Sequence, residues 1–136
     1  MKRILAPILL LTLLFPALAL GETIDDLVVR DGIYYEKFSD VPFTGKVTGI
    51  YQGSIKNGKK DGLWFYYFRT GQLMRKGTLK DGEREGHWVH YHPNGQVMRS
   101  GTYNDGKFDG PWVFYNKTGT VIDSITGTYK NGVKVK

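Results

Sequence analysis

The chain has 136 residues, of which 40% are apolar, 14% aromatic and 24% charged, with 18 glycines and a formal net charge of +6. That suits one small globular unit with one modest core. It has no cysteine, which excludes a disulfide scaffold, a thiolate zinc site and a cysteine nucleophile, so stability has to come from packing and backbone pairing.

In chain order, Met1-Lys2-Arg3 gives a positive start, Ile4 to Leu14 is almost unbroken apolar sequence, and Ala17, Ala19 and Gly21 put small residues at alternating positions. This order predicts a secretory signal peptide over residues 1–21, since the apolar run is shorter than the ~20 residues of a spanning helix. Cleavage after Ala19 and cleavage after Gly21 both satisfy a small-x-small rule, and Glu22 is the favoured mature start. No lipobox cysteine is present, so the product is expected in soluble form in the periplasm or outside the cell. Without Lys2 and Arg3 the remainder carries 17 basic against 13 acidic side chains, net +4, too mild a balance for a nucleic-acid binder.

Residues 22–52 hold 3 basic and 6 acidic groups and read as an N-terminal cap with a truncated repeat, Gly45-Lys46-Val47-Thr48-Gly49-Ile50. The array proper covers residues 53–136. Three stretches starting at Gly53, Gly77 and Gly101 align without a gap at a period of 24, giving copies 53–76, 77–100 and 101–126 and a partial copy 127–136. Gly58, Gly82 and Gly106 fall in one column; so do Gly62, Gly86 and Gly110, and Tyr67, Tyr91 and Tyr115. All three tryptophans, Trp64, Trp88 and Trp112, share another.

Each copy reads as two strands. Leu63 to Phe68 is aromatic-rich, Arg69-Thr70-Gly71 turns, Gln72 to Leu79 is extended, and Lys80-Asp81-Gly82 turns again. Asn-Gly or Asp-Gly pairs at 57–58, 81–82, 94–95, 105–106 and 131–132 suit tight hairpins. No helical period is sustained after the leader, so the fold class is all-β: a single-layer antiparallel meander of hairpin repeats. The tryptophan and tyrosine columns lie three positions apart and project from opposite faces, one of them the core.

The pattern Gly-x-x-x-Asn/Asp-Gly-x-x-Asp/Glu-Gly-x-Trp-x-x-Tyr resembles MORN repeats, and specifically the bacterial YwqK-type variant, over residues 41–136, with Val41-Pro42-Phe43-Thr44-Gly45-Lys46-Val47 and Asn57 to Trp64 matching down to the dipeptide. The resemblance implies a curved single-layer array of hairpins and no catalytic residues. Bacterial members are often labelled antitoxins; MORN proteins elsewhere dock proteins or contact lipid.

The candidate chemistry is thin. His87, His90 and His92 all lie in the second copy, and two of them on one strand face make only a weak metal site. Asp61, Glu85 and Asp109 recur with the repeat and read as turn residues before glycines rather than as acid/base pairs. Ser39, Ser54, Ser100 and Ser124 sit in no nucleophile motif. No catalytic, metal or cofactor residues are assigned, and the chain is not expected to be an enzyme. Copy 53–76 is strongly cationic, with Lys56, Lys59, Lys60, Arg69, Arg75 and Lys76 against Asp61 alone. The candidate binding surface is therefore Trp64, Trp88 and Trp112 with Lys59, Lys60, Arg75 and Lys76. A protein-docking, antitoxin- or immunity-like scaffold is the leading expectation, ahead of an envelope glycan binder, whose sugars would stack on the aromatic ladder, and of contact with anionic lipid.

Overall fold

The computed structural model describes residues 21–136. The expected signal peptide, save Gly21, lies outside the described residues. The described residues form twelve strands: β1 (Glu22–Thr23), β2 (Leu27–Arg30), β3 (Ile33–Glu36), β4 (Gly45–Thr48), β5 (Tyr51–Lys56), β6 (Lys59–Tyr67), β7 (Leu73–Lys80), β8 (Glu83–Tyr91), β9 (Val97–Asn104), β10 (Lys107–Phe114), β11 (Gly127–Lys130) and β12 (Val133–Lys134). β4 to β12 form one antiparallel meander in chain order, β1 adds to β4 in parallel, and β2 and β3 form a separate hairpin. One 3-10 turn, Ile24–Asp26, is the helical content of the described residues. The chain is all-β, as the punctuation of its repeats predicts.

Two kinds of turn alternate along the sheet. At Asn57-Gly58, Asp81-Gly82, Asp105-Gly106 and Asn131-Gly132 both residues take positive φ, 49–51° for the first and 77–84° for the glycine. That is the mirror-image turn whose twist matches the flanking strands. Asp31-Gly32 makes a fifth, at 51° and 76°, joining β2 to β3 in a region read from sequence only as a cap. Asn94-Gly95, expected to be of this class, is not: Gly95 alone has positive φ, its N–H donates to His92 O at 2.9 Å, and His92 N–H donates to Gln96 O at 2.8 Å. Gly71 and Gly119 repeat the same arrangement after Phe68 and Asn116.

A second correction concerns Gly62, Gly86 and Gly110. Expected in turns, they lie inside β6, β8 and β10 with φ of 82°, 67° and 91°. They mark bulges. Gly77 pairs with Trp88 and Leu79 with Arg84, so two steps along β7 face four along β8. The strand therefore starts earlier than its aromatic stretch, and the side chain four positions before each tryptophan is drawn back toward it.

The 24-residue period survives into three dimensions. β6 and β8 have the same order of buried and exposed residues along their lengths, and so do β7 and β9. The core is one face of the sheet, running from Leu27, Phe43, Val47 and Ile55 at the N-terminal end through Trp64, Trp88 and Tyr103 to Trp112. The β2–β3 hairpin is tied to the first turn by a backbone bond from Tyr34 N to Gly58 O (2.9 Å), and the segment before β4 by one from Gly58 N to Phe43 O (2.7 Å), which covers the start of the array.

Candidate functional site

The tryptophan face is built from a strictly repeated unit. Each indole lies flat over a glycine of the preceding strand, Trp64 over Gly53, Trp88 over Gly77 and Trp112 over Gly101. A Cβ added at any of these glycines would collide with the ring, so the column needs residues without side chains. Each indole N–H donates to a carbonyl ten residues back, Ser54 (3.0 Å), Thr78 (3.0 Å) and Thr102 (2.9 Å), which satisfies the one polar atom a buried tryptophan carries. All three tryptophans are 0% exposed.

What covers the indoles differs between copies. Lys60 Nζ lies 4.6 Å from the Trp64 ring, Arg84 Cζ 5.4 Å from Trp88, and Phe108 stacks on Trp112 at 4.0 Å between centroids. Beside each indole, two residues on, stand Tyr66, His90 and Phe114. Arg75 and Arg99 complete the cationic row: Arg75 Cζ is 4.3 Å from the Tyr66 ring and Arg99 Cζ 5.6 Å from Phe108. Arg84 also donates to the Tyr103 hydroxyl at 3.0 Å. Two of these half-buried cations, Lys60 and Arg75, are perturbed. Burial, reinforced by Arg75, holds the Lys60 ammonium below its ordinary range, and burial with Arg84 lowers Arg75. Burial, then Arg99, Arg84 and Arg75, push His90 from 6.5 down to about 3, so it is neutral at pH 7.

The sequence-derived surface is thus divided. Trp64, Trp88 and Trp112 are corrected from surface to core, because their rings are the layer on which everything else on this face packs. Lys60 and Arg75 stand on the tryptophan face; Lys76 pairs with Phe65 and Val89 on the opposite one, and Lys59 sits at the β5–β6 hairpin, exposed. The four cations do not form one patch. Sequence reasoning named Lys60 for its charge but missed Arg84, Arg99 and the column that joins position 60 to 84 and 108. The signal was present only as even spacing from each tryptophan, with residue types that differ from copy to copy.

Two of the remaining candidates have structural duties. His92, buried, pairs a ring nitrogen with Tyr115 O at 2.9 Å. Glu85 accepts from the amide of Asp105 in the next hairpin at 3.1 Å. Among the described residues no three His, Asp or Glu side chains gather as a metal would need. On the opposite face, the tyrosine column borders a shallow cleft of about 640 Å³ with His87, Val89 and Val97 beside Tyr91 and Tyr115. A second cleft, about 530 Å³, opens between the Asp31-Gly32 turn and Lys60, Tyr66 and Arg84.

A search of curated proteins returns no match. The family described as MORN repeat variant matches residues 60–81 and 84–105, segments that begin at Lys60 and Arg84, the residues over the first two indoles. The two successive matches lie one period apart on hairpins of the same geometry, so these two segments are similar to the MORN repeat variant in both sequence pattern and fold.

Proposed function

We propose that the chain is a non-catalytic, exported repeat scaffold that docks another protein along its sheet, antitoxin- or immunity-like as the YwqK-type resemblance suggests. The observation that carries this reading is the division between a constant frame and a changing cover. The Trp–Gly unit repeats in geometry and hydrogen bonding, while the residues above it run Lys60, Arg84, Phe108 and Tyr66, His90, Phe114. A fixed frame that presents different side chains at regular intervals is how repeat arrays build extended recognition surfaces. Burial of the tryptophan column counts against sugars stacking on it. The division of the lysines and arginines between two faces counts against flat contact with a lipid surface.

Export rests on Lys2, Arg3 and the apolar run from Ile4 to Leu14, and N-terminal sequencing of the purified protein should begin at Glu22. Affinity capture from the envelope fraction with the full protein as bait tests docking. The reading expects a protein retained as salt is raised; glycan or lipid retained in its place would overturn it.

A further inference from the structure

We propose that Arg75, Arg84 and Arg99, gathered around His90 on the tryptophan face, seat the side-chain carboxylates of an acidic peptide segment. This rests on the docking reading and names the chemistry of the docked partner. Arg75 on β7 stands directly opposite His90 on β8, and His90 directly opposite Arg99 on β9. The three side chains share one face in a straight row, with the two arginines two strand spacings, ~10 Å, apart. Arg84 reaches the same row from along β8, held against Trp88 and bonded to the Tyr103 hydroxyl.

The row lacks its complement of negative charge. Among the described residues one ion pair forms, Arg30 with Asp40, in the N-terminal region. Arg75 Nε and Arg99 Nε are buried donors with no hydrogen-bond partner, His90 Nε2, donor or acceptor according to its tautomer, is buried and unpartnered between them, and buried polar atoms left unpaired are costly. Three such atoms in one cross-strand row are concentrated where the guanidinium groups of Arg75, Arg84 and Arg99 all act on the His90 ring. A planar guanidinium pairs with a carboxylate through two parallel bonds, and the rings of Tyr66, Tyr103 and Phe108 already hold these side chains in place.

Spacing favours a peptide. Acidic residues three apart on an extended, polyproline-like segment lie ~9 Å apart on one side, close to the separation of Arg75 and Arg99. The charges stand level with aromatic rings in a half-buried setting, which suits inserted side chains better than bulky headgroups at a flat surface. The third copy has lost the feature, with Phe108 and Phe114 where the second has Arg84 and His90. The seat is confined to the middle of the array.

The test titrates the full protein with a labelled peptide carrying Glu at every third position, a Gln version of the same peptide, inorganic phosphate, and vesicles containing anionic lipid. The Glu peptide should bind and the Gln peptide should not. Arg75→Gln and Arg99→Gln should each weaken binding about tenfold, as loss of a charge-assisted pair does, while Lys46→Gln changes nothing. In the unaltered protein, bound Glu peptide should move the His90 ring resonances at pH 7, read by NMR, because the peptide's carboxylates are charged there and the ring lies between the arginines that hold them. That readout needs no variant to fold. Equal binding of the Gln peptide, binding only to phosphate or vesicles, arginine variants that bind like the parent, or unmoved His90 ring resonances would each overturn the proposal. A captured partner whose retention ignores Arg75→Gln and Arg99→Gln would overturn the seat and leave docking standing; glycan or lipid capture alone would overturn docking itself.

Discussion

The middle and third copies share a frame and differ in everything that rests on it. Trp88 and Trp112 lie over Gly77 and Gly101 and donate to Thr78 O and Thr102 O at 3.0 and 2.9 Å. Above them the copies part. Trp88 is covered by a guanidinium and flanked by a neutral histidine, whereas Trp112 is sealed by Phe108 within a cluster that includes Tyr103, Phe114 and Tyr129. The frame demands residues that nothing else can replace, a glycine for close approach and an indole for area plus one donor. The cover demands only a flat or long side chain, and so it is free to carry charge.

If the frame is common to both copies, removing it should cost the same in each. Trp88→Ala and Trp112→Ala should each lose about 4 kcal/mol of unfolding free energy by urea titration. A difference of more than about 2 kcal/mol between them would break the equivalence. Gly77→Ala should lose about 3 kcal/mol, because the added methyl meets the indole rather than open space, and Gly101→Ala should match it.

The covers should separate the copies by pH. His90 titrates at about 3 in the folded chain against 6.5 for an ordinary histidine, so between those values the unfolded state holds more protons and stability falls as pH is lowered through that window. Replacing it by the third copy's residue, His90→Phe, should remove on the order of 2 kcal/mol of the stability lost between pH 7 and 4, measured by denaturation at both values. The smallest effect should come from giving the second copy the third copy's cover. Arg84→Phe should raise stability by about 0.5–1 kcal/mol, since it exchanges a desolvated cation for ring stacking. A clear loss would mean that the Arg84 bond to Tyr103 outweighs that gain.

The period of 24 and the paired strands were legible because they rest on residues with few substitutes: glycines at positive φ, an indole over a bare backbone, Asn or Asp before glycine. The Asp31-Gly32 hairpin uses the same signal but lies outside the period, and a reading organised by the repeat passes over it. Gly62, Gly86 and Gly110 read as turns because turn and bulge both exploit positive φ, and only the register shift at each of them tells the two apart. Arg75 and Lys60 were visible as charge, yet composition places charge in solvent, whereas here their stems lie along aromatic rings. Arg84 and Arg99 belong to a copy with no net charge, and net charge says nothing about which face its members occupy.

The bond from each indole runs backward along the chain, and so do those from the amides of Gly82, Gly106 and Gly132, which donate to the backbone carbonyls of Lys60, Arg84 and Phe108. A polypeptide that emerges N-terminus first therefore presents every one of these acceptors before the donor that will claim it. Each new hairpin closes onto a finished ledge and then becomes the ledge for the next, so the array can be laid down in order of synthesis or passage, one course at a time.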